Sequence, residues 1–147
     1  MIKRTTDLAA VAILALAAVS APGAQAAYVM SFQEIGGNVV EVGGGTLDRT
    51  DLNGGGVVTN SPSMVPSDAF VDSGDAGANA TSYQGLTTTP SNFGSGGVEF
   101  ASSGSGDAVG ISKYFLWVPE FYISGSPLSE TSTYLGATFA PKPQFQT

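Results

Sequence analysis

The stretch Tyr28-Val29-Met30-Ser31-Phe32-Gln33-Glu34-Ile35-Gly36-Gly37-Asn38-Val39-Val40-Glu41-Val42, closed by Gly43-Gly44-Gly45, decides the fold. Tyr28, Met30 and Phe32 alternate with Val29, Ser31 and Gln33, and a period of two sets the large side chains on one face of a strand. Gly36-Gly37-Asn38 supplies the turn, and Val39, Val40 and Val42 make a second, β-branched run. Residues 28–42 therefore read as a hairpin.

Short runs of the same kind continue along the chain. Thr46 to Leu52 alternates but is more polar, which predicts an edge strand, while Pro62 and Pro66 restrict Val57 to Val65 to an edge or an irregular crossing. Residues 72–80 read as loop. Glycine and serine at 91–97 and 102–106 read as turns around a short strand at 98–101. The most apolar stretch after residue 27, Ala108 to Tyr122, is predicted to hold the central strand, ending near Val118 because Pro119 interrupts it. A last strand is expected over 131–139, with Gly136 marking a bulge. Six or seven short strands and no long amphipathic helix predict an all-β protein, a single β-sandwich or jelly-roll-like domain. Eight Phe, five Tyr and one Trp outside any repeat argue for a packed core rather than a disordered polymer.

The N-terminus reads differently. Lys3 and Arg4 precede an apolar run from Leu8 to Val19, then Pro22, then small residues at Ala24 and Ala26. That is the order of a secretory signal peptide, cut before Ala27. The run is far shorter than the roughly 20 residues of a spanning helix. The expected organisation is a signal peptide at 1–26, a β-sandwich domain at 27–140 and an irregular tail at 141–147, with no stable membrane span in the mature chain. Signal peptidase and the general export machinery are the partners this implies. The expected location is periplasmic, cell-surface or extracellular.

Composition narrows the chemistry. The full chain carries a net charge of −7; removing Lys3, Arg4 and Asp7 with the leader makes it −8 and leaves Arg49, Lys113 and Lys142 as the only bases. Three scattered bases cannot form the patch that nucleic acid requires. Histidine and cysteine are absent, which removes Ser-His-Asp catalysis, thiolate nucleophiles, disulfides and zinc sites together. An enzyme would have to rely on paired carboxylates, with Glu99, Asp107 and Glu120 as candidates near strand ends, or on Ser112 beside Lys113. Solvated charge is the simpler account of all five. Asp68, Asp72 and Asp75 recur as calcium-loop oxygens do, but Asp72-Ser73-Gly74-Asp75 lacks the terminal Glu of an EF-hand, and Gly104-Ser105-Gly106-Asp107 occurs once where β-rolls repeat. Tyr114, Trp117 and Tyr122 are candidate carbohydrate contacts, because aromatic faces stack on sugar rings. Strand alternation sets Tyr114 with Leu116 and Phe115 with Trp117 on opposite faces, so one aromatic pair is expected inside.

Several segments together resemble bacterial exported proteins of the PEP-CTERM, exosortase-sorted family. They are Tyr28 to Val40; Gly45-Thr46-Leu47-Asp48; Tyr83-Gln84-Gly85-Leu86-Thr87; Phe93 to Gly97; Ser105-Gly106-Asp107; Tyr122 to Ser129; and Ser132 to Ala140. The resemblance implies an address, the cell surface or extracellular polysaccharide, rather than a reaction; separately, no cofactor and no dedicated catalytic site are expected. The family continues with a Pro-Glu-Pro motif, a membrane helix and basic residues, where this chain has Pro141-Lys142-Pro143-Gln144-Phe145-Gln146-Thr147. That departure predicts truncation or frameshift after Ala140 and an unpaired strand edge. The function expected is that of a non-enzymatic structural or matrix-associated protein. A carbohydrate-binding module and a carboxylate-dependent secreted hydrolase are the alternatives.

Overall fold

A computed structural model describes residues 27–86 and 90–138, and the backbone of 11–17. The chain is all-β, with two antiparallel sheets packed face to face as a β-sandwich. Twelve strands are described: β1 Val11–Ala17, β2 Ala27–Ile35, β3 Asn38–Thr46, β4 Asn53–Thr59, β5 Ser63–Val65, β6 Phe70–Ser73, β7 Asn79–Gln84, β8 Glu99–Phe100, β9 Ser103–Gly106, β10 Val109–Ile111, β11 Phe115–Pro119 and β12 Pro127–Tyr134. One sheet runs β1-β2-β3-β12-β9 and the other β4-β7-β11-β10-β6-β5-β8. No helix among the described residues is long and apolar enough to cross a membrane.

The hairpin over 28–42 is present and longer than expected. Ile35 pairs with Asn38 across Gly36 and Gly37, whose φ values of 60° and 77° are those of a tight turn that side chains resist. Tyr28, Met30 and Phe32 point into the core as their alternation requires. Gly43 to Gly45 do not close β3: it lies between β2 and β12, and ladders on both sides carry it to Thr46. The central position of the 108–118 stretch also holds, but as a hairpin of β10 and β11. Ser112 makes the turn, its amide donating to Phe115 O at 2.8 Å and its Oγ accepting from the Tyr114 and Phe115 amides.

Other boundaries differ. The edge strand expected over 46–52 is a turn after Thr46, since Asp48 Oδ1 accepts the Thr50 amide at 2.9 Å and gives the backbone a local partner in place of a ladder. Residues 72–80, read as loop, contain the end of β6 and the start of β7. The Ser-Gly run at 103–106 is not a turn but the edge strand β9, held by β12. The last strand is Pro127–Tyr134 rather than 131–139, and Gly136 lies in the turn after it rather than in a bulge. Ala24, Ala26 and the tail 141–147 lie outside the described residues, as does Ala140.

One core fills the space between the sheets. Tyr28, Met30, Phe32, Val39, Leu128 and Tyr134 come from the five-stranded sheet, and Met64, Val71, Tyr83, Val109, Leu116 and Val118 from the other. A cluster of polar side chains interrupts this apolar layer. Glu41, Glu130, Ser73 and Ser132 are buried there.

Candidate functional sites: a buried acid pair and an open groove

Strand parity puts the two glutamates inside. Glu41 shares the inward face of β3 with Val39, and Glu130 and Ser132 share that of β12 with Leu128 and Tyr134. Glu41 is 0% exposed and Glu130 4%. Glu130 sits opposite Gly43, and a Cβ on Gly43 would lie 1.6 Å from Glu130 Oε1 and 2.5 Å from the Tyr28 hydroxyl. The missing side chain is thus the space the carboxyl occupies. Tyr28 OH donates to Glu130 Oε1 at 2.6 Å.

Ser73, from the opposite sheet, completes the cluster. Its Oγ contacts Glu41 Oε2, Glu130 Oε2 at 2.6 Å and Ser132 Oγ at 2.7 Å. A serine hydroxyl has one proton to donate, so two of these three contacts must be donated to it. Ser132 can supply one. The other must come from a carboxyl that has kept its proton. Glu41 is the better carrier, because its Oε1 has no hydrogen-bond partner, which a neutral acid's carbonyl tolerates and a buried carboxylate does not. Burial holds Glu41 far above the ordinary carboxyl range, the hydrogen bond and charge of Glu130 push it further, and the Ser73 hydroxyl opposes them. The Tyr28 and Tyr134 hydroxyls are likewise raised, first by burial and then by neighbouring acids. Ser73 thereby ties Glu41 and Glu130 of one sheet to the other.

A second feature faces solvent. Pro119 ends β11, and the next turn closes with the Tyr122 amide donating to Pro119 O at 2.9 Å. Tyr122 then plugs into the core. Its OH accepts the Leu47 amide and lies 2.9 Å from both Leu47 O and Ser126 O. Anchoring Tyr122 inward drives its neighbours outward: Phe121 is 86% exposed and Ile123 71%. These residues line an open groove of about 520 Å³ with Asn79, Asp107 and Glu120, and among the described residues no Lys or Arg contributes to its wall. Glu120 Oε2 accepts from Asn79 Nδ2 at 3.0 Å, and Asp107 Oδ2 accepts the Ser129 amide at 2.8 Å. Gly106 fixes Asp107 there, since at φ 91° a side chain is strained and its Cβ would meet Ser129 O at 2.4 Å.

The residues singled out in the sequence are dispersed. Asp107 and Glu120 share the groove, whereas Glu99 lies on β8 at the far edge of the seven-stranded sheet. Of the aromatic residues, Tyr122 is buried and Tyr114 is 66% exposed in the β10–β11 turn. Trp117 is half-buried on the outer face of the seven-stranded sheet, stacked on Phe115 at 5.9 Å and edge-on to Phe70 at 5.4 Å. Neither predicted aromatic pair is internal, because Leu116 and Val118 take the inward positions of β11. Ser112 is occupied by its turn. Asp72 faces outward on β6, where burial pushes it up to about 6 against the bonds it accepts from the Ser61 and Ser73 amides. No group of three or more acidic side chains that could hold a metal occurs among the described residues.

The acid pair was missed in the sequence although its signal was present, since Glu41 lies two residues from Val39 on the inward parity of a β-branched run. Phe121 lies within the apolar stretch Ala108 to Tyr122 but beyond the end of β11, which is why it is exposed rather than in the core. Comparison with protein-family models, characterised proteins and solved structures finds no match for this chain.

Proposed function

We propose that the chain is an exported, non-enzymatic β-sandwich that serves as a structural component of an extracellular matrix. The observation that carries this reading is where its acids are spent. Glu41 and Glu130 are sealed between the sheets and bonded to each other's neighbours, where no substrate reaches them. In a chain without cysteine they cross-link the domain in place of a disulfide. The signal-peptide pattern before Ala27 and the resemblance to exosortase-sorted proteins supply the location.

The test is to express the chain in a Gram-negative host, fractionate the cells and sequence the N-terminus of the product. An N-terminus at Ala27 in the periplasmic or extracellular fraction, with matrix material retaining it, is the expected result. A cytoplasmic product starting at Met1 would refute export. One observation favours a second reading: Asp107 and Glu120 line the same groove, as the two carboxylates of a glycoside hydrolase would. Each of these carboxylates accepts one bond from a neutral donor of the wall.

A further inference from the structure

We infer that the groove beside Phe121 binds a cationic amino-sugar polymer, one that carries free ammonium groups on its rings. Four features converge. The groove is shallow and open to solvent, as suits a chain-like ligand laid along a surface, and its volume is about 520 Å³. Two large apolar side chains, Phe121 and Ile123, stand almost free of the protein at its rim, held there by the inward anchor of Tyr122. Exposed apolar groups fixed in this way mark contact surfaces, and an open phenyl face suits the C–H face of a pyranose. Its acids are Asp107 and Glu120, and among the described residues no basic side chain in the wall offsets them.

Charge complementarity selects among sugars. A polyanionic glycan would meet two carboxylates in the groove and a net charge of −7 behind them. A neutral glycan would gain stacking but leave the carboxylates without a charged partner. An amino sugar satisfies both, with ring on Phe121 and ammonium toward Asp107 and Glu120. Each carboxylate accepts one bond from the wall, and a carboxylate has about four acceptor positions, so capacity for a ligand donor remains. This inference rests on the matrix reading for where such a polymer would be met, but the binding itself is a property of the domain.

The test is calorimetric titration of the full chain with a glucosamine oligomer at mildly acidic pH, against its N-acetylated counterpart and a glucose oligomer. The expected result is binding of the glucosamine oligomer alone, weakened several-fold by raising salt from about 0.05 to 0.5 M. Phe121→Ala should weaken it roughly tenfold, and Glu120→Gln with Asp107→Asn should remove the preference for the free amine. Phe100→Ala, an exposed ring elsewhere, should leave affinity unchanged. Equal binding of the neutral oligomers, or an affinity that Phe121→Ala does not alter, would overturn the inference. Binding of polylysine as tight as that of the sugar would also overturn it. Loss of sugar binding would leave the export result intact, since that is read from the N-terminus and the cell fraction. Shortening of the oligomer would instead refute the non-enzymatic reading.

Discussion

At the residue scale the account turns on the space over Gly43. A methyl group there would overlap Glu130 Oε1 and the Tyr28 hydroxyl, so Gly43→Ala should push the carboxyl off its partners and cost about 2–4 kcal/mol in chemical denaturation. Tyr28→Phe keeps the ring and removes only the donor to Glu130; a loss of about 1–3 kcal/mol is expected, from the unsatisfied buried oxygen. If both variants melted like the parent, the cluster would not be holding the sheets. The inward parity of Glu41 was legible from Val39 two residues earlier. Its partner was not, because Ser73 reaches it across the sandwich from a distant part of the chain, and no local pattern encodes a contact between sheets.

At the element scale the exposed edge is the concern. The described strand β1 pairs with β2 from Val11↔Gln33 to Ala17↔Ala27, so cleavage before Ala27 would strip a partner from β2 and open its backbone groups. Protein beginning at Ala27 should therefore self-associate with concentration in sedimentation velocity. Val29→Lys, placing a charge on the exposed face of that edge strand, should restore the monomer. A mature chain that stays monomeric without the substitution would show that the edge is harmless. The strands the sequence marked best are those with apolar alternation, β2, β3 and β11. β9 escaped notice because Ser103 to Gly106 has no propensity of its own and is a strand only through its ladder to β12. The polar run after Thr46 failed in the opposite sense, since Asp48 could satisfy the backbone locally.

At the scale of the whole molecule, the class was readable from strand count and turn spacing, and the chemistry that is excluded was readable from composition. The groove was not, because it is assembled from the ends of β7, β11 and β12 and from Asp107, which are neighbours only once the sheets close. The buried pair gives the fold an unusual dependence on pH. Glu41 binds its proton more tightly folded than unfolded, so its stabilisation is full below the unfolded value near pH ~4.3 and is lost as pH rises toward the folded one. Asp72, raised to about 6, acts in the same direction over the lower part of that window. Glu130, Tyr28 and Tyr134 face Glu41, and none of them supplies a positive charge to offset it.

The most direct measurement is the unfolding free energy of the parent and of Glu41→Gln between about pH 5 and pH 9, where Gln mimics the protonated acid. The parent should lose stability steadily as pH rises, at up to about 1.4 kcal/mol per unit, and the variant should be nearly flat above about pH 6, below which Asp72 still contributes. A parent whose stability is constant or grows over that range, with Glu41→Gln following the same curve, would mean that Glu41 does not hold its proton in the folded protein and that the interior is not built as described.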